Sequence, residues 1–152
     1  MNFRQRWMER LINFYPPLVG AGIRSRTLDE RTVEVEMKLT AFNVNLVGVH
    51  FGGSLYAMCD PWFMLILMRL LGKDYIVWDK AASIQFKKPG RGRVKARFHI
   101  PPERVEEIRK DVDAHGKIEP VFFVDVVGEE GEVIVSVEKL LYVRRKKPAQ
   151  QV

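Results

Sequence analysis

The longest apolar stretch of the chain, residues 54–71, carries a single carboxylate and a proline near its middle. Burying an unpaired carboxylate costs several kcal/mol, roughly, so Asp60 needs a partner or a function if this stretch lies in the core. Pro61 would remove a backbone hydrogen bond from a helix and clash with the preceding turn, at about 3 kcal/mol. A charge and a helix breaker side by side in an apolar segment indicate a functional site.

The same stretch is long enough to raise the question of a membrane span, because about 20 apolar residues cross a bilayer. Asp60 argues against that interpretation, since a charge at bilayer depth is expensive without a partner. A helix that is apolar on all sides of a soluble protein is one that other elements wrap. We therefore expect a long central helix over residues 54–71, closed by Gly72, and no membrane insertion.

The rest of the chain supplies strands that can wrap this helix. Residues 32–39 alternate apolar and polar side chains, as a strand with one buried face does. Four more strands are predicted near residues 75–87, 93–100, 119–128 and 132–144, with a hairpin signal at residues 128–131. Amphipathic patterns predict an opening helix over residues 2–13 and a short surface helix over residues 103–115, inserted between strands. The order predicts an α+β fold, a curved antiparallel sheet around a central helix.

Size and composition restrict the function. A chain of 152 residues makes one domain, which we place at residues 1–146, followed by a flexible C-terminal tail over 147–152. The net charge of +6 suits a solvated basic tail or a phosphorylated small ligand. The chain lacks the helix-turn-helix, zinc-ligand and basic-aromatic patterns of nucleic-acid binding. A lone cysteine, Cys59, and a first segment unlike a secretory signal lead us to expect the cytoplasm.

One motif adds a family resemblance to this pattern. It reads Asn45-x-x-Gly48-x-x-x-Gly52-Gly53, with Asp60 eight residues after the first glycine of the pair. Together with the order of elements, it resembles the hotdog-fold acyl-CoA thioesterases. The segments 51–61 and 75–82 are most similar to a little-characterised bacterial branch of that superfamily.

The resemblance implies a set of site residues. Asp60 matches the catalytic acid, which acts as general base on water or as nucleophile. The backbone amide of Gly53 or its neighbour would polarise the thioester carbonyl, as free amides at a helix start can, and Asn45 matches a polar residue that lines the site. Many relatives carry histidine directly before the glycine pair, where this chain has Phe51. His50 stands one residue earlier, and its alternative is a structural histidine held by loop hydrogen bonds.

Further contacts with the substrate are expected around this centre. An acyl chain would run along apolar residues of the central helix, and a basic turn would meet the phosphates of coenzyme A, although a solvated turn is the plain alternative. Asp79 would help from a distance or form an ion pair with Lys80. The expected substrate-binding residues are His50, Phe51, Gly52, Phe63, Met64, Asp79, Lys87, Lys88 and Arg91, with Leu67 also on the acyl path.

The resemblance also implies a homodimer, or a tetramer, with sites between subunits: the acid from one subunit and part of the carbonyl cradle from the other. No metal or other cofactor is expected, because coenzyme A is part of the substrate. Two alternatives for single residues also stay open. Asp60 could be a structural acid paired with an arginine such as Arg69, and Cys59 could be a nucleophile. Two functional alternatives also stay open: a non-catalytic acyl-CoA or lipid-binding protein, and a hydratase or dehydratase.

Overall fold

A computed structural model describes residues 11–146 of the chain. Most of the opening helix predicted over residues 2–13, and all of the tail predicted over residues 147–152, lie outside the described residues. Four helices and seven strands are defined within them. The helices are α1 Pro16–Gly20, α2 Gly52–Ala57, α3 Trp62–Leu71 and α4 Pro102–His115. The strands are β1 Ile23–Thr27, β2 Thr32–Lys38, β3 Tyr75–Phe86, β4 Arg93–His99, β5 Lys117–Ile118, β6 Val121–Val127 and β7 Val133–Arg145.

The strands form a single antiparallel sheet in the order β1-β2-β4-β6-β7-β3, with β5 paired to β7 off this path. One face of the sheet is apolar and packs on α3, while the other face carries the charged side chains of the alternating strands. The α+β architecture predicted from the element order is thereby confirmed. Strand β3 lies at one end of the order, and among residues 11–146 it pairs with β7 and with no other strand.

Residues 58–61 interrupt the central helix and divide it into α2 and α3, at the proline that the sequence singled out. Pro61 has no amide hydrogen to donate to Ala57, and the helical hydrogen-bonding pattern fails there. The carbonyl of Ala57 instead lies 3.4 Å from the amide nitrogen of Asp60. The indole of Trp62 donates to the carbonyl of Met58 at 2.7 Å, which satisfies a buried backbone group at the break. Asp60 is thus held at a non-helical corner.

Helix α3 forms the centre of the core. Ile66 and Leu67 are fully buried. Phe63 stacks on Phe122 of β6 with ring centroids 4.9 Å apart and meets Phe98 of β4 edge-on at 5.2 Å. By length and composition the segment over residues 52–71 could cross a membrane, but half of its most apolar part is buried inside the chain. Its apolar character therefore belongs to the core of the sheet and helix package.

The packing of Phe63 gives a test of this core. Replacing it in Phe63→Ala leaves a cavity between α3, β4 and β6 and should cost about 3–5 kcal/mol of unfolding free energy. The matched control is Met68→Ala on the same helix, where the side chain is about half exposed and the expected loss is small. Urea denaturation followed by tryptophan fluorescence measures both, and equal losses would contradict the assignment of α3 as the central core helix.

Candidate active site

The corner between α2 and α3 presents Asp60 beside a tyrosine. Tyr56 stands four residues earlier, on the last turn of α2, and its hydroxyl donates to Oδ1 of Asp60 at 2.9 Å. The Asp60 side chain is 48% exposed in the single chain, so the expectation of a buried carboxylate was wrong. The break in the helix turns it toward the outside of the protomer.

The buried charge at this corner belongs instead to Lys139, which the sequence argument missed. Lys139 lies on the apolar face of β7, in line with Val137 and Leu141, and is 0% exposed. Its ammonium nitrogen lies 2.9 Å from Oδ1 of Asp60 and 3.3 Å from the Tyr56 hydroxyl. Among the residues that the structure describes, the cation paired with Asp60 is therefore Lys139 and not Arg69.

Asp79 completes the cluster from β3. A β-bulge between Asp79 and Ala81 shifts the register with β7 at this point, and bulges redirect side chains. Oδ1 of Asp79 lies 3.2 Å from the Lys139 ammonium nitrogen, an ion pair whose alignment falls short of a hydrogen bond. The alternative pairing of Asp79 with Lys80 is not formed, because Lys80 binds Glu119. Asp79 and Asp60 are thus both paired with the same lysine, Lys139.

The burial of this cluster and the contacts within it shift the pKa values of Lys139, Asp79 and Tyr56. Burial alone would lower the pKa of Lys139, but the hydrogen bond that it donates to Asp60 and the charges of both carboxylates outweigh burial and raise the pKa. Burial raises the pKa of the Asp79 carboxyl, against the opposing effect of the Lys139 charge. Burial and the hydrogen bond to Asp60 raise the pKa of the Tyr56 hydroxyl. The lysine therefore remains an ammonium and the tyrosine a neutral donor at physiological pH.

Cys59 adjoins Asp60 in sequence but is an unreactive thiol. It is 0% exposed, and burial raises its pKa to about 12. The thiolate is the nucleophilic form of cysteine, so a nucleophilic role for Cys59 is disfavoured.

The glycine pair begins α2. The first backbone bonds of this helix run from the amides of Ser54 and Leu55 to the carbonyl of Phe51, so the amides of Gly52 and Gly53 precede the bonded run. A Cβ atom at Gly52 would lie 3.0 Å from the exposed ring of Phe86, and one at Gly53 would overlap the ring of Phe51. A larger residue at either position would have to displace an exposed aromatic ring that lies close to the backbone.

Two asparagines shape the loop before this pair. Asn45 accepts hydrogen bonds from the amides of Val47 at 3.0 Å and Val49 at 3.1 Å through Oδ1, so this oxygen orders the loop. Asn43, which the sequence argument did not single out, is 1% exposed. Its amide group donates to the carbonyls of Ala21 and Lys38 at 2.8 Å. Asn43 thereby ties the loop to the first strands of the sheet.

His50 is placed as a structural residue. It is 2% exposed, and Nε2 lies 3.1 Å from the carbonyl of Gly92, to which it donates. Its own amide donates to the carbonyl of Gly90 at 3.0 Å. These bonds favour the alternative of a histidine held by loop hydrogen bonds, and they bring the turn over residues 87–93 against the loop that leads to Gly52.

The remaining predicted contact residues fall into two groups. Lys87, Lys88 and Arg91 are exposed on the turn beside His50, where a phosphate could reach them. Met64 is half-buried on α3, whereas Phe63 and Leu67 are enclosed in the core. In the single chain, only Met64 of this apolar group offers surface to a ligand.

A groove of about 700 Å³ lies on the opposite, charged face of the sheet, away from Lys139. Its walls hold acids and bases together, including Arg26 and Glu34 in an ion pair of 3.0 Å. Because the charges largely compensate each other, the groove shows no preference for an anion or a cation. The chemistry of the chain is concentrated at the corner between α2 and α3.

Comparison with solved structures identifies the fold. The Pseudomonas aeruginosa protein PA5026, of unknown function and described as a probable thioesterase, aligns with a TM-score of 0.81 at 19% identity, over 93% of this chain and 96% of that one. The Haemophilus influenzae thioesterase HI1161 aligns with a TM-score of 0.70 at 17% identity, over 99% and 97%. The E. coli PaaI protein, from the phenylacetic acid degradation operon, aligns with a TM-score of 0.65 at 18% identity, over 95% of each chain. This chain is a hotdog-fold protein, as the motif predicted.

Sequence comparison then places it in a family. The model of a domain of unknown function, DUF4442, matches residues 4–143, and the chain belongs to that family. No curated protein matches it significantly.

The burial of His50 predicts a pH effect on stability. Burial lowers its pKa, although the hydrogen bond to Gly92 opposes the shift, so the unfolded chain binds more protons as the pH falls below about 6.5. The native protein should lose stability between pH 7 and pH 5, and His50→Gln should lose less over the same window. Urea midpoints across that range measure the effect. His115→Gln, at an exposed histidine, serves as the control, and a slope in His50→Gln equal to that of the native protein would contradict the assignment.

Proposed function

We propose that the protein hydrolyses acyl-CoA thioesters at the corner between α2 and α3. The observation that carries the proposal is the arrangement of Asp60, a half-exposed carboxylate anchored through Oδ1 at the end of a helix that begins with Gly52 and Gly53. Oδ2 accepts no hydrogen bond from the described residues, which leaves it available to water or substrate. The fold shared with structures described as thioesterases supports the same reaction class.

The proposed reaction needs only water and groups of the protein. Asp60 acts as a general base on water or as the nucleophile itself, and the amide of Gly53 stabilises the oxyanion that forms at the thioester carbon. In the general-base route the C–S bond breaks as the tetrahedral intermediate collapses, and the proton taken by Asp60 passes to the departing thiolate. The products are a carboxylic acid and free coenzyme A. No metal or separate cofactor takes part in the proposal.

Substrate contacts are proposed on both sides of the carbonyl. The turn with Lys87, Lys88 and Arg91 supplies cations for the phosphates of coenzyme A, and Met64 offers apolar surface to the acyl chain. Asn45 orders the loop that leads to the glycine pair, and we assign it a positioning role. A reducing compartment such as the cytoplasm suits the lone cysteine.

A hydratase or dehydratase is disfavoured by the histidines, because that chemistry should pair an acid with a histidine across the site. All three histidines of the chain have other surroundings. His50 binds Gly92, His99 meets Thr32 at 2.9 Å, and His115 lies 3.0 Å from the carbonyl of Asp111.

We also propose that two copies pair through β3 and that the site lies between them. From Lys80 to Phe86 every residue of this end strand except Ile84 is exposed, and unpaired edges are usually covered or protected. Phe51 and Phe86 add exposed aromatic surface beside the glycine pair. A second copy covering this edge would enclose the corner that holds Asp60, and part of the carbonyl cradle would come from the partner.

The proposed activity is tested by thiol release from a panel of acyl-CoA esters. Asp60→Asn should lower kcat by about 10²–10⁴-fold, the usual contribution of a general base, while the affinity for a non-hydrolysable acyl-CoA thioether is retained. The control is Asp125→Asn, an exposed acid on the opposite face that accepts a hydrogen bond from Ser136. Turnover that survives in Asp60→Asn removes this residue from the mechanism. Binding without turnover by the native protein favours the non-catalytic acyl-CoA binder.

The proposed dimer is tested at the exposed edge. Phe86→Glu places a charge in the apolar part of the interface and should shift the protein toward monomer in size-exclusion chromatography with light scattering. The matched control is Phe123→Glu, at a phenylalanine that is 71% exposed on β6 and should leave the dimer intact. A native monomer, or a Phe86→Glu dimer as tight as the native one, would overturn this interface.

A further inference from the structure

The ammonium of Lys139, at the corner between α2 and α3, is surrounded by oxygen atoms of three side chains. This ammonium carries three N–H groups, and three oxygens lie within 3.3 Å of its nitrogen, from Tyr56, Asp60 and Asp79. A buried cation with only one acceptor would leave donors unsatisfied. Lys139 therefore donates hydrogen bonds to Tyr56 on α2 and Asp60 at the helix break, and it faces Asp79 on β3 in an ion pair.

The three oxygens are not equivalent. Oδ1 of Asp60 receives both the ammonium of Lys139 and the hydroxyl of Tyr56, so two donors determine the orientation of one carboxylate. The Asp79 side chain is only 23% exposed, and the oxygen that faces Lys139 accepts no hydrogen bond from the described residues. Its negative charge acts on the lysine, and through the lysine on Asp60.

We propose that Lys139 and Asp79 act as a pair of positioning residues: Lys139 holds Asp60 as an oriented anion with Oδ2 directed at the substrate, and Asp79 keeps the buried lysine charged. This inference rests on the proposed function for its catalytic consequence, but the control of the Asp60 charge stands apart from turnover. The orientation of the Asp60 carboxylate is thereby set from inside the core of the same chain.

The titratable groups that surround Lys139 and Asp79 determine which ionisations a pH profile of activity can report. Tyr56 approaches from α2, and Cys59 and Asp60 from the break, with Asp79 on β3. The cross-strand neighbours of Lys139 are Ala82 on β3 and Phe122 on β6, which do not titrate. Tyr56 and Cys59 have raised pKa values and stay neutral in the acid range, while Lys139 stays charged, so the two carboxyls dominate the profile there.

Substitutions of Lys139 and of Asp79 should shift the acidic limb of the kcat/KM profile in opposite directions. In Lys139→Met, which keeps a side chain of similar length, Asp60 loses its cation and faces Asp79, so the acidic limb of the kcat/KM profile should rise by about one pH unit or more. In Asp79→Asn the cation remains and a negative charge is lost, so the limb should move to lower pH. A residue that only supported the fold would lower kcat in either variant without these opposite shifts.

The experiment measures two quantities on the full chain. The first is the pH dependence of kcat/KM for native protein, Lys139→Met, Asp79→Asn and the control Lys95→Met, an exposed lysine on the opposite face of the sheet. The second is the pH titration of the Asp60 carboxyl carbon in protein labelled with ¹³C-aspartate, with the signal assigned from its loss in Asp60→Asn. Both should move upward in Lys139→Met and not in Lys95→Met.

These readouts separate the inference from the proposed function. If the native protein shows no turnover but the Asp60 carbon titrates at higher pH in Lys139→Met, the hydrolase proposal fails and the pairing stands. If the Asp60 carbon titrates alike in native protein and Lys139→Met, the pairing is overturned whatever the activity. Should Lys139→Met not fold, Asp79→Asn remains decisive, because an unchanged limb or an upward shift there contradicts the assigned sign.

Discussion

The ammonium of Lys139, enclosed by oxygens of Tyr56, Asp60 and Asp79, is the interaction on which the arrangement of the candidate site depends. It joins the break between α2 and α3 to strands β7 and β3. Because a buried charge must be paired, these elements have to meet at this point for the chain to fold. The pairing of this charge therefore constrains both the packing of the sheet and the position of Asp60, the catalytic candidate.

Much of the fold could be predicted because it rests on local periodicity. Strand β4 alternates apolar and charged residues, and its inward side chains, such as Val94 and Phe98, are fully buried. Gly72 and Gly116 end their helices at positive φ, as their positions indicated. The glycine pair and Asp60 were found from a motif at short spacing, and the structure places both on the same helix and break.

What could not be predicted depends on contacts distant in sequence. Lys139 lies 79 residues from Asp60, and its only local signal is a charge on the inward face of β7 between Val137 and Leu141. Strand β1 was missed because its short alternating pattern holds two arginines and one clearly buried residue, Ile23. The break at Pro61 was visible, but only the indole of Trp62 and the pairing of Asp60 show how the fold compensates for it.

The burial of Cys59 has a consequence for a protein whose proposed product is a thiol. Mixed disulfides form when an accessible thiolate attacks a disulfide sulfur, and an exposed cysteine beside the scissile bond would be captured repeatedly by oxidised coenzyme A. Cys59 adjoins Asp60 in sequence, yet it is enclosed, with a pKa of about 12. The chain thus places its one sulfur nucleophile next to its proposed catalytic residue in a form that escapes redox capture.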